Sequence, residues 1–306
     1  EPFKKMTSAE LHSWVGSCHH VWGPSCVRTA HSKCSAVKNK TSDANTETFE
    51  TPSGTLKKVS SFDAPSHSWH PVEFPVKKIE DVDILLQFYE DERYEVDNSQ
   101  VQKSRELIKQ TGYCGVTGAN AGTSPLMEWI EKLAGIESGL FMLLDHPEKV
   151  EALFEVMHHA LCMKTKVIAN ACPHPLIYNT ENTSTTLISP DLFRKYCMKH
   201  LKDYANILNA HDKRHILHMC GHLKALLPDI AAIPSSAIEA FTSPPVGNTT
   251  LLDGKTLCPN KCLIGGTNAV LWLEPAEKII EALQKDLDAL LDHRGIVITS
   301  GGVMPP

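Results

Sequence analysis

The run His215-Ile216-Leu217-His218-Met219-Cys220-Gly221 joins a short apolar segment to an imidazole and a thiol that lie two residues apart. In an extended strand, residues i and i+2 point to the same side, so His218 and Cys220 can face one metal ion. Imidazole nitrogen and thiolate sulfur together suit zinc, which needs at least one more ligand. Taken alone, the pair also fits a buried histidine beside a buried cysteine, and the choice between the two depends on the rest of the chain.

The chain around this run alternates between short apolar strands and helices. One helix is predicted from Pro147 to about Ala171, and Ser189 and Pro190 are typical of the N-cap and first position of another. Such alternation indicates a parallel sheet, either open and doubly wound or closed into a barrel of eight strands. The predicted strands are 113–117, 176–179, 215–218, 237–241, 262–264 and 296–300.

Six strands are therefore predicted after residue 112, and the first part of the chain could supply two more. This count favours an α/β fold of the (β/α)8 TIM barrel class, with residues 1–306 forming a single domain. Residues 1–75 are expected to carry N-terminal strands and a polar surface excursion, because 32–61 is rich in Thr, Ser, Lys and Asn. Small, polar or ligand-type residues follow the predicted strands, where barrels place their chemistry.

Composition excludes some functions. The chain has 306 residues, 42% of them hydrophobic, and a net charge of −6, so no basic surface argues for nucleic acid or an acidic membrane. No apolar run approaches the roughly 20 residues of a membrane span, and the start does not resemble a signal peptide. We therefore predict a cytoplasmic protein. Its ten cysteines are scattered, and we expect most to be reduced.

Several motifs, in this order and spacing, carry a resemblance to a known family. They are Thr51-Pro52-Ser53-Gly54-Thr55-Leu56, 75–82, 187–193, His218-Met219-Cys220-Gly221, Ile264-Gly265-Gly266 and Ser300-Gly301-Gly302-Val303-Met304-Pro305-Pro306. Over roughly residues 50 to 306, the chain resembles the uroporphyrinogen decarboxylase superfamily. This resemblance implies a (β/α)8 barrel, in agreement with the strand count.

The superfamily has two branches that predict different functions. Metal-free decarboxylases bind a carboxylated tetrapyrrole through an arginine-rich N-terminal segment, whereas Arg28 is the only arginine before residue 90 here. Zinc-dependent methyltransferases use a His-x-Cys pair and work with corrinoid proteins. The resemblance therefore implies a zinc-dependent methyltransferase, with a corrinoid (cobalamin) carried by a partner protein. A metal-free lyase acting on a carboxylated substrate and a non-catalytic barrel remain as alternatives.

The third zinc ligand is the point where this chain departs from the family. Coenzyme M methyltransferases of the family have a cysteine after the last strand, where this chain has Gly302. Glu181 is the predicted replacement, because it follows the strand 176–179 and carboxylate oxygen binds zinc. Its alternative role is that of a hydrogen-bonded acid that orients a neighbour. Cys258 and Cys262 are the other candidates, although Cys262 opens a strand.

A Glu-His-Cys site is harder than a His-Cys-Cys site and suits the polarisation of an ether oxygen. The resemblance then implies O-demethylation, in which cob(I)alamin takes the methyl group of a small methyl ether. Zinc held by His218, Cys220 and Glu181 is expected to stabilise the leaving oxygen. Asn120, Tyr178 and Asn182 are expected to place the substrate, with ordinary lining or core packing as their alternative role.

Overall fold

A parallel sheet of seven strands forms the centre of the fold. The computed structural model describes residues 2–65, 67–111 and 115–301. In chain order its strands are β1 (His19–Trp22), β2 (Val27–Ala30), β3 (Ser35–Lys40), β4 (Ala44–Thr51), β5 (Gly54–Asp63), β6 (Ser68–Glu73), β7 (Arg93–Val96), β8 (Gly115–Gly122), β9 (Leu176–Thr180), β10 (Arg214–His218), β11 (Ala237–Phe241), β12 (Cys262–Gly266) and β13 (Ile296–Thr299).

Helices connect and cover these strands. The π-helical turn Trp129–Leu133 continues α4 (Pro125–Glu128), and the π-helical turn Arg194–Met198 joins α7 (Pro190–Phe193) to α8 (Lys199–Asn209). The helices are α1 (Ser8–Val15), α2 (Asp81–Glu90), α3 (Asn98–Thr111), α4 (Pro125–Glu128), α5 (Ile136–Asp145), α6 (Pro147–Ala171), α7 (Pro190–Phe193), α8 (Lys199–Asn209), α9 (Leu227–Ala231), α10 (Leu251–Leu257) and α11 (Ala276–Asp288).

The seven strands of the central sheet are ordered β1-β8-β9-β10-β11-β12-β13, all paired in parallel, and the sheet curls into a half-barrel. The mixed α/β class and the β-α-β-α order agree with the sequence prediction. Within residues 2–65, 67–111 and 115–301, the first part of the chain adds one strand to this sheet instead of the two that an eight-stranded barrel needs. The predicted strand 113–117 lies partly outside the described residues, and β8 begins at Gly115.

The remaining described N-terminal strands pair in antiparallel fashion, and short turns join β3 to β6 in chain order. Strands β3 to β6 make a four-stranded meander, and β2 pairs with β7 in a separate ribbon. The turn between β4 and β5 is stabilised by a hydrogen bond from the Ser53 amide to Oγ1 of Thr51, 3.2 Å long. The predicted polar excursion at 32–61 lies mostly in this meander.

The local signals for two helices are confirmed. Pro147 begins α6, which ends at Ala171 as predicted. Ser189 is the N-cap of α7, and its hydroxyl accepts a hydrogen bond from the Leu192 amide at 3.2 Å. The helix that follows continues through the π-turn to Asn209.

Alternate residues of the central strands enter two different cores. Leu217 and Met219 pack into the main hydrophobic cluster, which the helices share, whereas Ile216 packs with Tyr178 and Ala237 in a separate cluster. We call the side that carries Ile216 the inner face of the sheet. Because side chains alternate along a strand, His218 and Cys220 belong to the inner face.

None of the helices in the described part of the chain has both the length and the apolar character needed to cross a membrane.

Candidate functional site

His218 and Glu239 are joined by a hydrogen bond at the centre of the site. The parallel register of β10 and β11 sets the two residues side by side, and Nδ1 of His218 contacts Oε2 of Glu239. Burial disfavours the charged imidazole, but hydrogen bonds to Cys220 and Glu239 outweigh it and raise the pKa of His218 to about 10. A carboxylate on one ring nitrogen fixes the orientation of the imidazole, as it does for histidines that bind metals.

Cys220 continues the site two residues beyond His218. Its Sγ lies 3.7 Å from Oδ1 of Asn182, and Asn182 also hydrogen-bonds the carboxyl group of Glu131. Asn182 adopts a left-handed backbone conformation with φ of 38°, which asparagine tolerates better than most residues. Asn182 therefore links the thiol to a second carboxyl group, from the π-turn after α4.

An aromatic wall stands on the inner face beside these groups. Trp22 and Tyr178 have ring centroids 4.5 Å apart, and the Tyr178 hydroxyl lies 3.2 Å from Nε2 of His20. A Cβ atom on Gly118 would come within 2.8 Å of the Tyr178 ring, so only glycine leaves room for this arrangement. Trp22 is 52% exposed, which leaves an aromatic surface open for an apolar ligand.

Asn120 joins two strands at the same end of the sheet. Its Nδ2 donates to Oγ1 of Thr180 at 2.5 Å, and its Oδ1 accepts from the Gly122 amide at 2.7 Å. Both ends of the Asn120 side-chain amide thus have protein partners, Gly122 in β8 and Thr180 in β9. These contacts fit a residue that bridges two strands as well as they fit one that binds substrate.

Glu181 is directed away from the other predicted ligands. Its carboxylate accepts hydrogen bonds from the amide (3.1 Å) and the hydroxyl (2.5 Å) of Ser124, and no part of the residue is exposed. Burial raises its pKa to about 8, although the Ser124 bonds oppose this shift. Cys197, on the helix side of the sheet, lies next to it. The structure therefore does not bring Glu181 together with His218 and Cys220, and the zinc-ligand set of these three residues stays a prediction.

The other predicted third ligands do not complete the site either. Cys258 is 1% exposed, and its thiol donates to the Leu227 carbonyl oxygen at 3.4 Å. Cys262 is the first residue of β12, whereas His218 ends β10. Across residues 2–65, 67–111 and 115–301, no three His, Cys, Asp or Glu side chains are arranged to hold a metal. Gly302, where the family has a cysteine, lies outside the described residues.

Glu239 is a residue of the candidate site that the sequence prediction missed. Its signal was a single carboxylate inside the otherwise apolar strand Ala237–Phe241, one strand after His218. A charged residue is rarely placed within a buried strand unless it has a partner.

The sequence from 73 to 306 matches the uroporphyrinogen decarboxylase (URO-D) family. The chain belongs to the URO-D family. The matched region includes the residues of the inner-face site except His20 and Trp22, which lie before residue 73. Among solved structures, the URO-D chain is similar to a methyltransferase from Methanosarcina mazei, with a TM-score of 0.59 and 16% sequence identity over 80% of this chain and 70% of that one. No curated protein sequence matches this chain significantly.

Proposed function

We propose that this URO-D family protein is a zinc-dependent methyltransferase that moves a methyl group between a small donor, such as a methyl ether, and the corrinoid of a partner protein. The observation that carries the proposal is the hydrogen bond from His218 to Glu239, with Cys220 two residues further along the same face. The fold likeness to a structure named a methyltransferase supports the same branch of the family.

The imidazole nitrogen of His218 and the sulfur of Cys220 are both atoms that bind zinc, but two ligands do not fill the coordination shell of the metal. His218 supplies an imidazole held by a carboxylate, and Cys220 supplies sulfur, which together make half of a tetrahedral shell. Substrate or solvent would occupy the remaining coordination positions of the zinc, because the Glu181 carboxylate is hydrogen-bonded to Ser124. A catalytic zinc keeps at least one such open position.

When bound at His218 and Cys220, zinc would supply Lewis acidity to the oxygen or sulfur that loses or receives the methyl group. Glu239 holds the His218 ring in place, and Asn182 positions the Cys220 thiol. The exposed face of Trp22 and the ring of Tyr178 offer a wall for a planar donor. A small, apolar methyl donor packed against this wall would lie on the same face of the sheet as the proposed zinc ligands His218 and Cys220.

The charge of the site argues against the lyase alternative. A decarboxylase that binds a polycarboxylate needs cationic side chains around it. The side chains that form this site among the described residues instead include two carboxyl groups, Glu131 and Glu239, and no lysine or arginine. A substrate with several carboxylates would be repelled here.

The test combines metal analysis with a methyl-transfer assay. Purified full-length chain is loaded with zinc and mixed with cob(I)alamin and a phenyl methyl ether, and methylcobalamin formation is followed by absorbance. We expect Cys220→Ser to lose both zinc and methyl transfer, while Cys262→Ser, a matched cysteine at the start of a neighbouring strand, keeps both. Full methyl transfer by a metal-free Cys220→Ser protein would rule out the proposal.

A further inference from the structure

A cavity that shares no lining residue with the inner-face site lies beside helix α6. It is formed where helix α6 meets the β2–β7 ribbon and the β3–β6 meander. Two adjoining spaces of about 280 and 290 Å³ share Thr29, Lys38, Tyr89, Glu92 and Glu128 as lining residues, so they form one continuous cavity. Its size is close to that of a small-molecule site.

Lys164 is the lining residue whose ammonium group has no ion-pair partner among the described residues. It lies on α6 and lines the cavity, and it makes no hydrogen bond or ion pair with the described residues. Burial lowers the pKa of its ammonium group, although nearby Glu92 and Glu128 oppose the shift. A partly buried ammonium group without a hydrogen bond or ion pair costs free energy, and a bound anion would offset that cost.

The carboxylates near Lys164 already have other partners. Glu92 accepts a hydrogen bond from the Tyr94 hydroxyl, and Glu128 pairs with Lys132 at 2.7 Å. At the far end of the cavity, Glu47 is shared by two lysines: Lys38 lies 3.0 Å away and Lys58 lies 3.9 Å away. Among these lysines, Lys164 is the one that has no hydrogen bond or ion pair with a carboxylate of the described residues.

Apolar groups and one unused polar atom complete the cavity. The side chains of Phe49, Phe88 and Leu133 form apolar walls, and Met157 and Leu161 line the end near Lys164. Nδ1 of His31, another lining residue, is buried and has no hydrogen-bond partner. The cavity thus offers one lysine without an ion pair, one unused ring nitrogen and several apolar side chains among its polar lining residues.

We propose that this cavity binds a small organic monocarboxylate, with the carboxylate on Lys164 and the apolar body against the walls formed by α2, α6 and the meander. The site is separate from the inner-face site and does not depend on the proposed methyl transfer. Its position between α6 and the meander means that a bound ligand joins the N-terminal strands to the central fold.

Benzoate is the probe, because it combines one carboxylate with a flat apolar body. Calorimetric titration of the full chain compares benzoate, uncharged benzamide and inorganic phosphate. We expect benzoate to bind, benzamide and phosphate to bind at least tenfold more weakly, and Lys164→Met to weaken benzoate binding at least tenfold. Lys166→Met, an exposed lysine on the same helix, is the matched control and should leave benzoate affinity unchanged.

A second readout protects the test against misfolding of the Lys164 variant. Reductive methylation of wild-type protein, followed by mass spectrometry, should show that benzoate slows modification of Lys164 and leaves Lys166 unaffected. The proposal is overturned if wild type does not bind benzoate at millimolar concentration. Equal affinity for benzamide, stronger binding of phosphate, or methylation of Lys164 that benzoate does not change would overturn it as well.

Discussion

Nδ1 of His218 and Oε2 of Glu239 form a hydrogen bond across two neighbouring parallel strands, at the end of the sheet where the Cys220 thiol also lies. This bond fixes one ring nitrogen of the imidazole and sets the direction of the other. The pair therefore links strand register, a feature of the fold, to the orientation of the proposed zinc ligand His218.

The first prediction concerns the role of Glu239 as a positioning residue. Glu239→Gln keeps the size of the side chain but weakens its hold on the His218 ring, so we expect zinc affinity to fall by about 10- to 100-fold. Competition with a chromogenic zinc chelator measures this affinity. Glu181→Gln is the matched control, because Glu181 faces Ser124, and its zinc affinity should equal that of wild type. An unchanged affinity in Glu239→Gln would remove the positioning role.

The second prediction separates the structural role of Glu181 from ligation. Glu181→Ala leaves the buried hydroxyl and amide of Ser124 without their acceptor, so the free energy of unfolding should fall by about 1–3 kcal/mol. Glu181→Gln retains an acceptor oxygen and should lose less. Urea denaturation at neutral pH compares the two variants. A loss of bound zinc in both variants, with stability unchanged, would restore Glu181 as a metal ligand.

The third prediction tests the aromatic wall. An added methyl group in Gly118→Ala meets the Tyr178 ring at 2.8 Å and Nε2 of His20 at 3.2 Å, so these rings must shift. We expect KM for a phenyl methyl ether to rise several-fold while the zinc content stays at the wild-type level, because the proposed zinc ligands lie on and just after another strand, β10. Tyr178→Phe, which keeps the ring and loses only the hydroxyl contact to His20, should change KM less. Equal KM values for Gly118→Ala and wild type would show that the wall does not contact the donor.

The fourth prediction concerns stability in acid. His200 on α8 is 4% exposed and stacks on His158 of α6, with ring centroids 4.1 Å apart. Burial, followed by the charges of His158 and Lys199, lowers the pKa of His200 to about 3. An unfolded histidine has a pKa of about 6.5, so the unfolded chain binds one more proton between these values and stability falls as pH decreases from 6.5 towards 3.

The His200→Phe variant should lack the one proton that His200 takes up when the chain unfolds. We expect the slope of unfolding free energy against pH between 4 and 6 to decrease by about 1.4 kcal/mol per pH unit. Denaturant titrations across this range measure the slope, and His159→Gln, an exposed neighbour on α6, should leave it unchanged. The Asp203 carboxylate, which pairs with Nε2 of His158 at 3.1 Å, remains in both variants. The same slope in His200→Phe and wild type would contradict a neutral buried His200.

Much of the fold could be predicted from local signals. Strand 237–241 and the helix 147–171 were predicted with the bounds that the structure has, because apolar periodicity and helix-start signals act over a few residues. The number of strands in the central sheet was harder to predict, since it depends on which N-terminal strands pair with distant ones. Pairing of β3 to β6 with one another, through short turns, left β1 as the one described strand from that region to join it.

In the site, too, some residues could be predicted from the local sequence, whereas others depend on contacts between strands that are distant in the chain. His218 and Cys220 could be placed together because residues i and i+2 share one face of a strand. The same rule puts Glu181, three residues after Tyr178, on the opposite face, and the structure directs it to Ser124. Glu239 depends on the register between β10 and β11, which no single stretch of sequence encodes.

The zinc content of the purified chain tests the central claim most directly. Elemental analysis after zinc loading and removal of excess metal should give about one zinc per chain for wild type and Cys262→Ser, and less than a tenth of that for Cys220→Ser and His218→Ala. A wild-type chain that is folded yet retains no zinc, or a Cys220→Ser chain that retains as much as wild type, would contradict a metal site at the end of β10.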